Sequence, residues 1–254
     1  MKKTLLKALK SAGKKLNENF LKNQTFKLKT RNDIVTENDF LSEKIIIKII
    51  KDNFPKHQIL SEEIGTVGLK NDYLWIIDPL DATINFAAKI PLYSVSIALI
   101  YKNKIEIGGV FCPSLNELFF AQKNKGAYLN NKKIKVSKNN NLSSSLINIG
   151  FSAHYSKNQF NNNCNIIKKI APKIRGLRAF ESGALTSCYV ACGKLDGKIS
   201  IKTDPFGNAA STLIIEEAGG KVTDFSNKNW SRNMKTMICS NKILHNKLIN
   251  FVNS

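Results

Sequence analysis

Arginine is scarce in this chain of 254 residues: Arg31, Arg175, Arg178 and Arg232 stand against 35 lysines. Arginine forks are the usual readers of phosphates and base edges, so their scarcity argues against a dedicated sequence-reading nucleic-acid protein. Acidic residues are few as well, 19 against 39 basic ones, for a net charge of +20. Lysine, asparagine and isoleucine are abundant together, as an AT-rich coding sequence would make them. The charge therefore requires no polyanionic partner, although incidental RNA binding stays open. Long apolar runs are missing. Segments such as Ser94–Ile100 fall far short of the roughly 20 residues that cross a bilayer, which excludes a helical membrane protein. The N-terminal MKKTLLKALKSAGKKL has the basic start of a signal peptide, but Lys7 and Lys10 interrupt the apolar core it would need. The five cysteines, an odd number, include no CxxC pair, and Cys188 and Cys192 lie one helical turn apart in an apolar stretch that suits packing, which argues against a disulfide framework or structural zinc site and fits a reducing cytoplasm. His57, His154 and His245 are isolated from any ligand spacing, so packing or surface roles are expected.

What is present is a chain 43% hydrophobic, long enough for one large domain or two small ones with a real core. Leu5, Leu9, Ala12, Leu16 and Phe20 fall on one helical stripe. Residues 37–53 predict a second helix, N-capped by Thr36 with Glu37 and Asp39 in its first turn. Tyr73–Ile77, Ser94–Tyr101, Lys104–Phe111 and Glu117–Ala121 read as strands, with a turn at Asp78-Pro79. The polar stretch Val136–Ser145 suggests a boundary between an N-terminal α+β half, residues 1–140, and a C-terminal α/β half, residues 141–254. The second half reads as strands at Leu146–Gly150, Lys198–Ile201, Lys221–Asp224 and Thr236–Ser240. Its predicted helices are Gln159–Ala171, Gly183–Cys192, Asn208–Ala218 and Lys242–Val252. Trp75 and Trp230 read as core or interface residues, and Ser182, Ser187 and Ser211 have no nucleophile-elbow context.

Because acidic residues are the minority, their clustering is informative. They gather as Asp33 and Asp39 in NDIVTEND, Glu62 and Glu63 in SEEIG, and Asp78 and Asp81 in DPLDATINF. A strand ending in Asp-Pro puts its last carboxylate at the sheet rim, and a Pro-fixed turn can aim Asp81 at the same spot. Carboxylates held that close repel one another unless a cation neutralises them, and a hard divalent ion such as Mg²⁺ does so economically. Pairs of such ions stabilise attacking and leaving oxygens in phosphoryl transfer. Ala82-Thr83-Ile84-Asn85 offers N–H groups at a helix start, suited to a phosphate. A turn with an Asp cap and an Asx turn explains the same spacing without any ligand.

DPLDATINF resembles the DPxDGTxNF signature of the inositol monophosphatase family. NDIVTEND, SEE and AASTLIIEEAGG fall around it in that family's order. The resemblance implies an α/β (α+β) fold, the layered αβαβα sandwich of the inositol monophosphatase / fructose-1,6-bisphosphatase type, and usually a homodimer. It also implies a Mg²⁺-dependent, lithium-sensitive phosphomonoesterase working through metal-activated water. By the same resemblance Glu62 binds metal and holds the water, Asp78 is shared between two metals, and Leu80 offers its carbonyl. Asp81 serves the second metal and touches substrate together with Ala82 and Thr83. Thr83 and Asp39 polarise the water, and Asp33 and Thr36 support that loop. The implied default substrate is inositol monophosphate, with 3′-phosphoadenosine 5′-phosphate, histidinol phosphate and fructose 1,6-bisphosphate as related choices.

The chain departs from the family pattern late. The metal aspartate of the family's W-D-x-A-A-G segment falls on Gly207, its tryptophan on Phe206 and its glycine on Ser211. A Gly-[ST]-Ala-Ala segment is replaced by Glu181-Ser182-Gly183-Ala184, the Gly of DGT is Ala82, and a substrate-contacting glutamate falls on Ser200. Three outcomes follow: Asp204 swings in as the missing ligand, Glu181 compensates, or the second metal is weakened and activity is low or altered; the alternative function is a catalytically weakened or inactive binding or regulatory protein on this scaffold.

Overall fold

The computed structural model describes residues 1–30, 33–151 and 155–253, so His154 lies outside the described residues. Helix α1 (Lys2–Asn19) buries Leu5, Ala8, Leu9, Ala12 and Leu16 on one stripe, the arrangement its periodicity predicts. It packs against α2 (Glu37–Asn53). Helix α2 starts at a reciprocal capping box. The Thr36 N–H donates to Asp39 Oδ2 at 2.8 Å, and Thr36 Oγ1 accepts in turn from the first-turn backbone. Ahead of it, β1 (Phe26–Thr30) and β2 (Asp33–Thr36) pair as a separate antiparallel ribbon.

The first sheet holds β3 (Gln58–Ser61), β4 (Gly65–Val67), β5 (Tyr73–Asp81), β6 (Ser94–Tyr101), β7 (Lys104–Cys112), β8 (Glu117–Gln122), β9 (Ala127–Leu129) and β10 (Lys132–Lys133). Its order is β10-β9-β8-β7-β6-β5-β3-β4, with β3 parallel to β5 and the other pairs antiparallel. The second sheet holds β11 (Leu146–Ile149), β12 (Gly176–Arg178), β13 (Gly197–Ser200), β14 (Gly220–Thr223) and β15 (Met237–Asn241) in the order β12-β11-β13-β15-β14.

Three hydrophobic clusters bind these elements into layers. One joins α1 and α2 to the outer face of the first sheet, with Trp75 fully buried in it. The second fills the space between the sheets with α5 (Gly183–Ala191) and α6 (Pro205–Glu217). The third covers the far face of the second sheet with α4 (Lys157–Ile170) and α7 (Lys242–Asn253). The result is the αβαβα sandwich expected from the resemblance. Gly108 on β7 makes one close approach possible. A Cβ there would stand 2.8 Å from Ala210 O and 2.9 Å from its Cα, so α6 lies directly on the sheet backbone. No helix among the described residues is long and apolar enough to cross a membrane.

Two local expectations need correction, and both bear on the site. The strand expected to end at Ile77 runs on to Asp81, and no turn forms at Pro79. Asp78 pairs with Ser96 and Asp81 with Ser94, so β5 carries one extra residue there, a bulge that tolerates a proline with no N–H. The helix expected over 208–218 begins at Pro205. The side chain of Asp204 caps it, with Oδ1 accepting from Phe206 N at 2.9 Å and Gly207 N at 3.0 Å, while Pro205 in the first turn needs no partner. The ribbon and the strands β3, β4, β9, β10 and β12 are too short for periodicity to announce them.

Candidate active site

The bulge at the end of β5 and the start of α3 (Thr83–Ala87) form one wall of a cavity of about 420 Å³. Glu62, Asp78, Leu80, Asp81, Ala82, Thr83, Asp33, Glu181 and Asp204 all line it. Thr83 Oγ1 lies 2.9 Å from Asp39 Oδ1 and 3.0 Å from the Leu80 carbonyl, and its single proton goes to one of them. The other oxygen of Asp39 accepts from the N–H and, at 2.7 Å, the hydroxyl of Thr36. Asp39 is 1% exposed. Its burial raises its pKa, and the hydrogen bonds from Thr36 and Thr83 oppose that rise.

Asp78 and Glu62 make the acidic centre. Asp78 is buried, and its Oδ1 accepts from Leu80 N at 3.2 Å. Desolvation first, then repulsion from Glu62, Asp81, Asp204 and Asp39, pushes its pKa well above the carboxylate range. Glu62 keeps 36% of its side chain open to solvent. Desolvation pushes it up to about 7. Lys29, 3.5 Å away, opposes this, while Asp204, Glu63 and Asp39 add to it. Glu43, buried on α2, holds the loop beyond Glu62 by accepting from Glu63 N and Ile64 N, both at 3.2 Å. Gly207 faces this centre. A Cβ on it would lie 3.8 Å from Asp78 Oδ2 and 4.0 Å from Asp204 Oδ1. The carboxylates of Asp78 and Asp204 therefore approach the same point from two elements.

Asp81 is held differently. Its Oδ2 accepts from Ser94 Oγ at 2.9 Å, from Ala184 N at 3.1 Å and from Ser182 Oγ, and its Oδ1 accepts from Gly183 N at 2.9 Å. The carboxylate thus caps the N-terminus of α5 across the sandwich. Lys198, 5% exposed on β13, reaches the same corner and donates to Gly183 O at 2.6 Å and Ser187 Oγ at 3.0 Å. Glu181 lies on the cavity wall away from the acidic centre. It accepts from Phe151 N at 2.7 Å, its pKa is raised by burial, and the charge that acts on it is Lys198.

Sequence reasoning missed Lys198, Ser94 and Lys29. Lys198 left no signal in the short segment Gly-Lys-Ile-Ser, and only the pairing of that strand on both edges shows that it is central. Ser94 and Lys29 left none, because their partners lie far away in the chain.

The donor chemistry suits a hard cation: carboxylates and a carbonyl, with like charges in need of neutralisation. The groups are gathered rather than closed into a cage. Among the described residues no three His, Cys, Asp or Glu side chains converge as a ready-made metal site.

The sequence model of the inositol monophosphatase family matches residues 1–254. The chain belongs to the inositol monophosphatase family. Among its relatives is the fructose-1,6-bisphosphatase/inositol-1-monophosphatase of Thermotoga maritima, 35% identical over 221 residues, which are 87% of this chain and 83% of the relative. Another is the Nus factor SuhB of Escherichia coli K12, 38% identical over 199 residues, 78% of this chain and 74% of that one. The extragenic suppressor protein suhB of Bartonella henselae has the same fold, with a TM-score of 0.95 at 30% identity over 99% of this chain and 98% of that chain. The IMPase of Thermotoga maritima superposes with a TM-score of 0.89 at 34% identity, over 97% and 94% of the two chains.

Two departures from the inositol monophosphatase pattern now have a conformational meaning. Ala82 and Glu181 stand where the pattern has glycine, and both keep the left-handed backbone, with φ of 70° and 56°. Both positions take a conformation that glycine adopts freely and that costs a residue with a Cβ.

Proposed function

We propose that this chain hydrolyses a small phosphate monoester in a Mg²⁺-dependent reaction, with inositol monophosphate as the default substrate. The observation that carries the reading is the Thr83–Asp39 pair, whose Thr83 lines the same cavity as Glu62, Asp78 and Asp204. Glu62, Asp78 and the Leu80 carbonyl would hold the cation, with Asp204 in place of the carboxylate missing at Gly207 and Asp81 on the second-metal side. Bound Mg²⁺ supplies positive charge that acidifies water and offsets charge on the leaving oxygen.

The remaining steps belong to the chain. Glu62 orients a water beside Thr83. Thr83 Oγ1 passes its proton to Asp39 Oδ1 and receives one from that water, and the raised pKa of Asp39 suits it to accept. The water oxygen attacks phosphorus, the phosphorus–ester oxygen bond breaks, and the departing alkoxide is protonated from solvent. Ala82 and Thr83 lie where the phosphate is received. No covalent enzyme intermediate is required. The reading includes a cytoplasmic homodimer organised as residues 1–140 and 141–254, which size-exclusion chromatography and fractionation address.

The test is phosphate release from a panel of monoesters, including inositol monophosphate, 3′-phosphoadenosine 5′-phosphate, histidinol phosphate and fructose 1,6-bisphosphate, with Mg²⁺. Asp78→Asn is assayed alongside. Release by the wild type alone supports the reading. Equal release by both proteins, or none from either, would refute it.

A second reading is a binding protein on the same scaffold. Gly207 in place of a ligand, a net charge of +20 and relatives named Nus factor SuhB favour it. Tight RNA binding that weakens steeply with salt, without esterase activity, would select it.

A further inference from the structure

Among the described residues Lys198 is the one buried lysine or arginine, the proposed reaction does not use it, and it lies on the wall of the cavity. An ammonium 95% removed from solvent is costly unless fixed partners and a nearby negative charge compensate it. The partners are Gly183 O and Ser187 Oγ. The negative charge is reached through one residue: Gly183 accepts from Lys198 Nζ with its carbonyl and donates its N–H to Asp81 Oδ1. A Cβ on Gly183 would stand 3.6 Å from Asp81 Oδ1 and 3.9 Å from Lys198 Nζ, so both charged atoms flank the same point. Asp81 thus receives four donors and, behind one of them, a fixed positive charge.

We propose that Lys198 is a positioning residue, the built-in counter-cation of Asp81, and that its ammonium balances the Asp81 side of the acidic cavity, while Gly207 leaves the Asp78–Asp204 side one carboxylate short. The cavity then has two unlike sides. On one, Glu62 and Asp78 face only the less buried Lys29 and call for a divalent ion, and Asp204 stands between the two sides because Lys198 acts on it as well as on Asp81. On the other, Asp81 is already neutralised and fully hydrogen-bonded. The chain consequently binds one divalent cation tightly, on the Glu62–Asp78 side. This consequence rests on the proposed function. The Lys198–Asp81 coupling does not.

Two measurements test the two parts separately. Mn²⁺ binding to the full-length protein is followed by calorimetry and by electron paramagnetic resonance for wild type, Lys198→Met and Lys198→Arg. The wild type and Lys198→Arg bind one ion. Lys198→Met binds the first ion about tenfold tighter or takes up a second, because a buried positive charge has been removed from beside the site. Equal stoichiometry and affinity, within about twofold, in wild type and Lys198→Met would overturn the proposal. If no variant binds Mn²⁺, the proposed function fails, and the coupling is read in metal-free protein by a double-mutant cycle. There Lys198→Met shifts the unfolding constant by a factor that changes about tenfold when Asp81 is already Asn. Additive effects would overturn the coupling. Lys198→Gln replaces Lys198→Met in the cycle if the methionine variant does not fold.

Discussion

Asp81 and Gly183 lie 102 residues apart in the chain, and the N–H of one donates to the carboxylate of the other at 2.9 Å. The bond fastens the end of a strand in the first sheet to the start of a helix between the sheets, so it is structural as well as chemical. Asp78, three residues earlier, is buried against other acids. In metal-free protein the two should respond in opposite directions. Asp81→Ala strands Ser94, Ser182, Gly183 and Ala184 without an acceptor and lowers stability by about 2–4 kcal/mol. Asp78→Asn relieves repulsion and raises it by about 1 kcal/mol. Chemical denaturation in chelator checks both, and destabilisation by Asp78→Asn would contradict this account.

Thr83 and Asp39 act as one unit in the proposed reaction. Thr83→Ala should lower kcat by roughly a hundredfold or more with little change in KM, and Thr83→Ser should retain most activity. Asp39→Asn should cost a similar factor, and the double variant should be no worse than either single one. Additive losses in steady-state kinetics would separate the two residues.

Gly207→Asp places a carboxylate against Asp78 Oδ2 and Asp204 Oδ1. Mg²⁺ affinity should rise roughly tenfold, the scale of one added ion–ligand contact of about 1.4 kcal/mol. The metal-free variant should melt below wild type, since a further like charge enters the cluster. Calorimetric titration and melting curves report the two effects, and unchanged affinity would mean that a carboxylate at position 207 adds no ligand beyond Asp204.

Burial, then the neighbouring acids, pushes Glu62 up to about 7 against an ordinary value of 4.5, with Lys29 opposing. Between those values the folded state holds more protons than the unfolded one, so this group's contribution to stability falls as pH rises through that window. A divalent cation displaces the proton. The rise in melting temperature caused by Mg²⁺ should therefore be small near about pH 5 and grow towards about pH 8. Differential scanning fluorimetry measures it, and a pH-independent shift would mean the cation binds elsewhere.

Ala82 holds φ of 70° next to the site. Ala82→Gly removes a left-handed penalty of about 1–2 kcal/mol and adds about 0.4–1 kcal/mol of unfolded-chain entropy, so a net gain near 0.5 kcal/mol is expected. Glycine is also the residue of the family signature here, so activity should be kept. A loss of stability on denaturant titration would mean the methyl group packs productively.

Much of the site was legible because its chemistry is local. Thr36 and Asp39 cap each other across three residues, and Thr83 reaches Leu80 across three. Such bonds form wherever the backbone makes the turn, so the motif spells them out. The amphipathic stripe of α1 and the capped start of α2 are local in the same way. The order of the four acidic motifs was enough to indicate the family and the αβαβα layering.

Tertiary structure alone decided which groups meet. Asp204 rather than Glu181 approaches Asp78, because the cap of α6 pins Asp204 near Gly207 while Phe151 N–H holds Glu181 aside. Lys198 became a buried charge only when the second sheet was laid over α5. The meetings of Asp78 with Asp204 and of Asp81 with Lys198 join residues more than a hundred positions apart in the chain, brought together by the burial of three apolar clusters that are indifferent to what chemistry they carry along. The sequence by itself determined the reagents and their local caps. The packing of sheet on helix on sheet determined their arrangement, since non-directional hydrophobic burial sets the distances between elements and hydrogen bonds only then select among the groups that arrive.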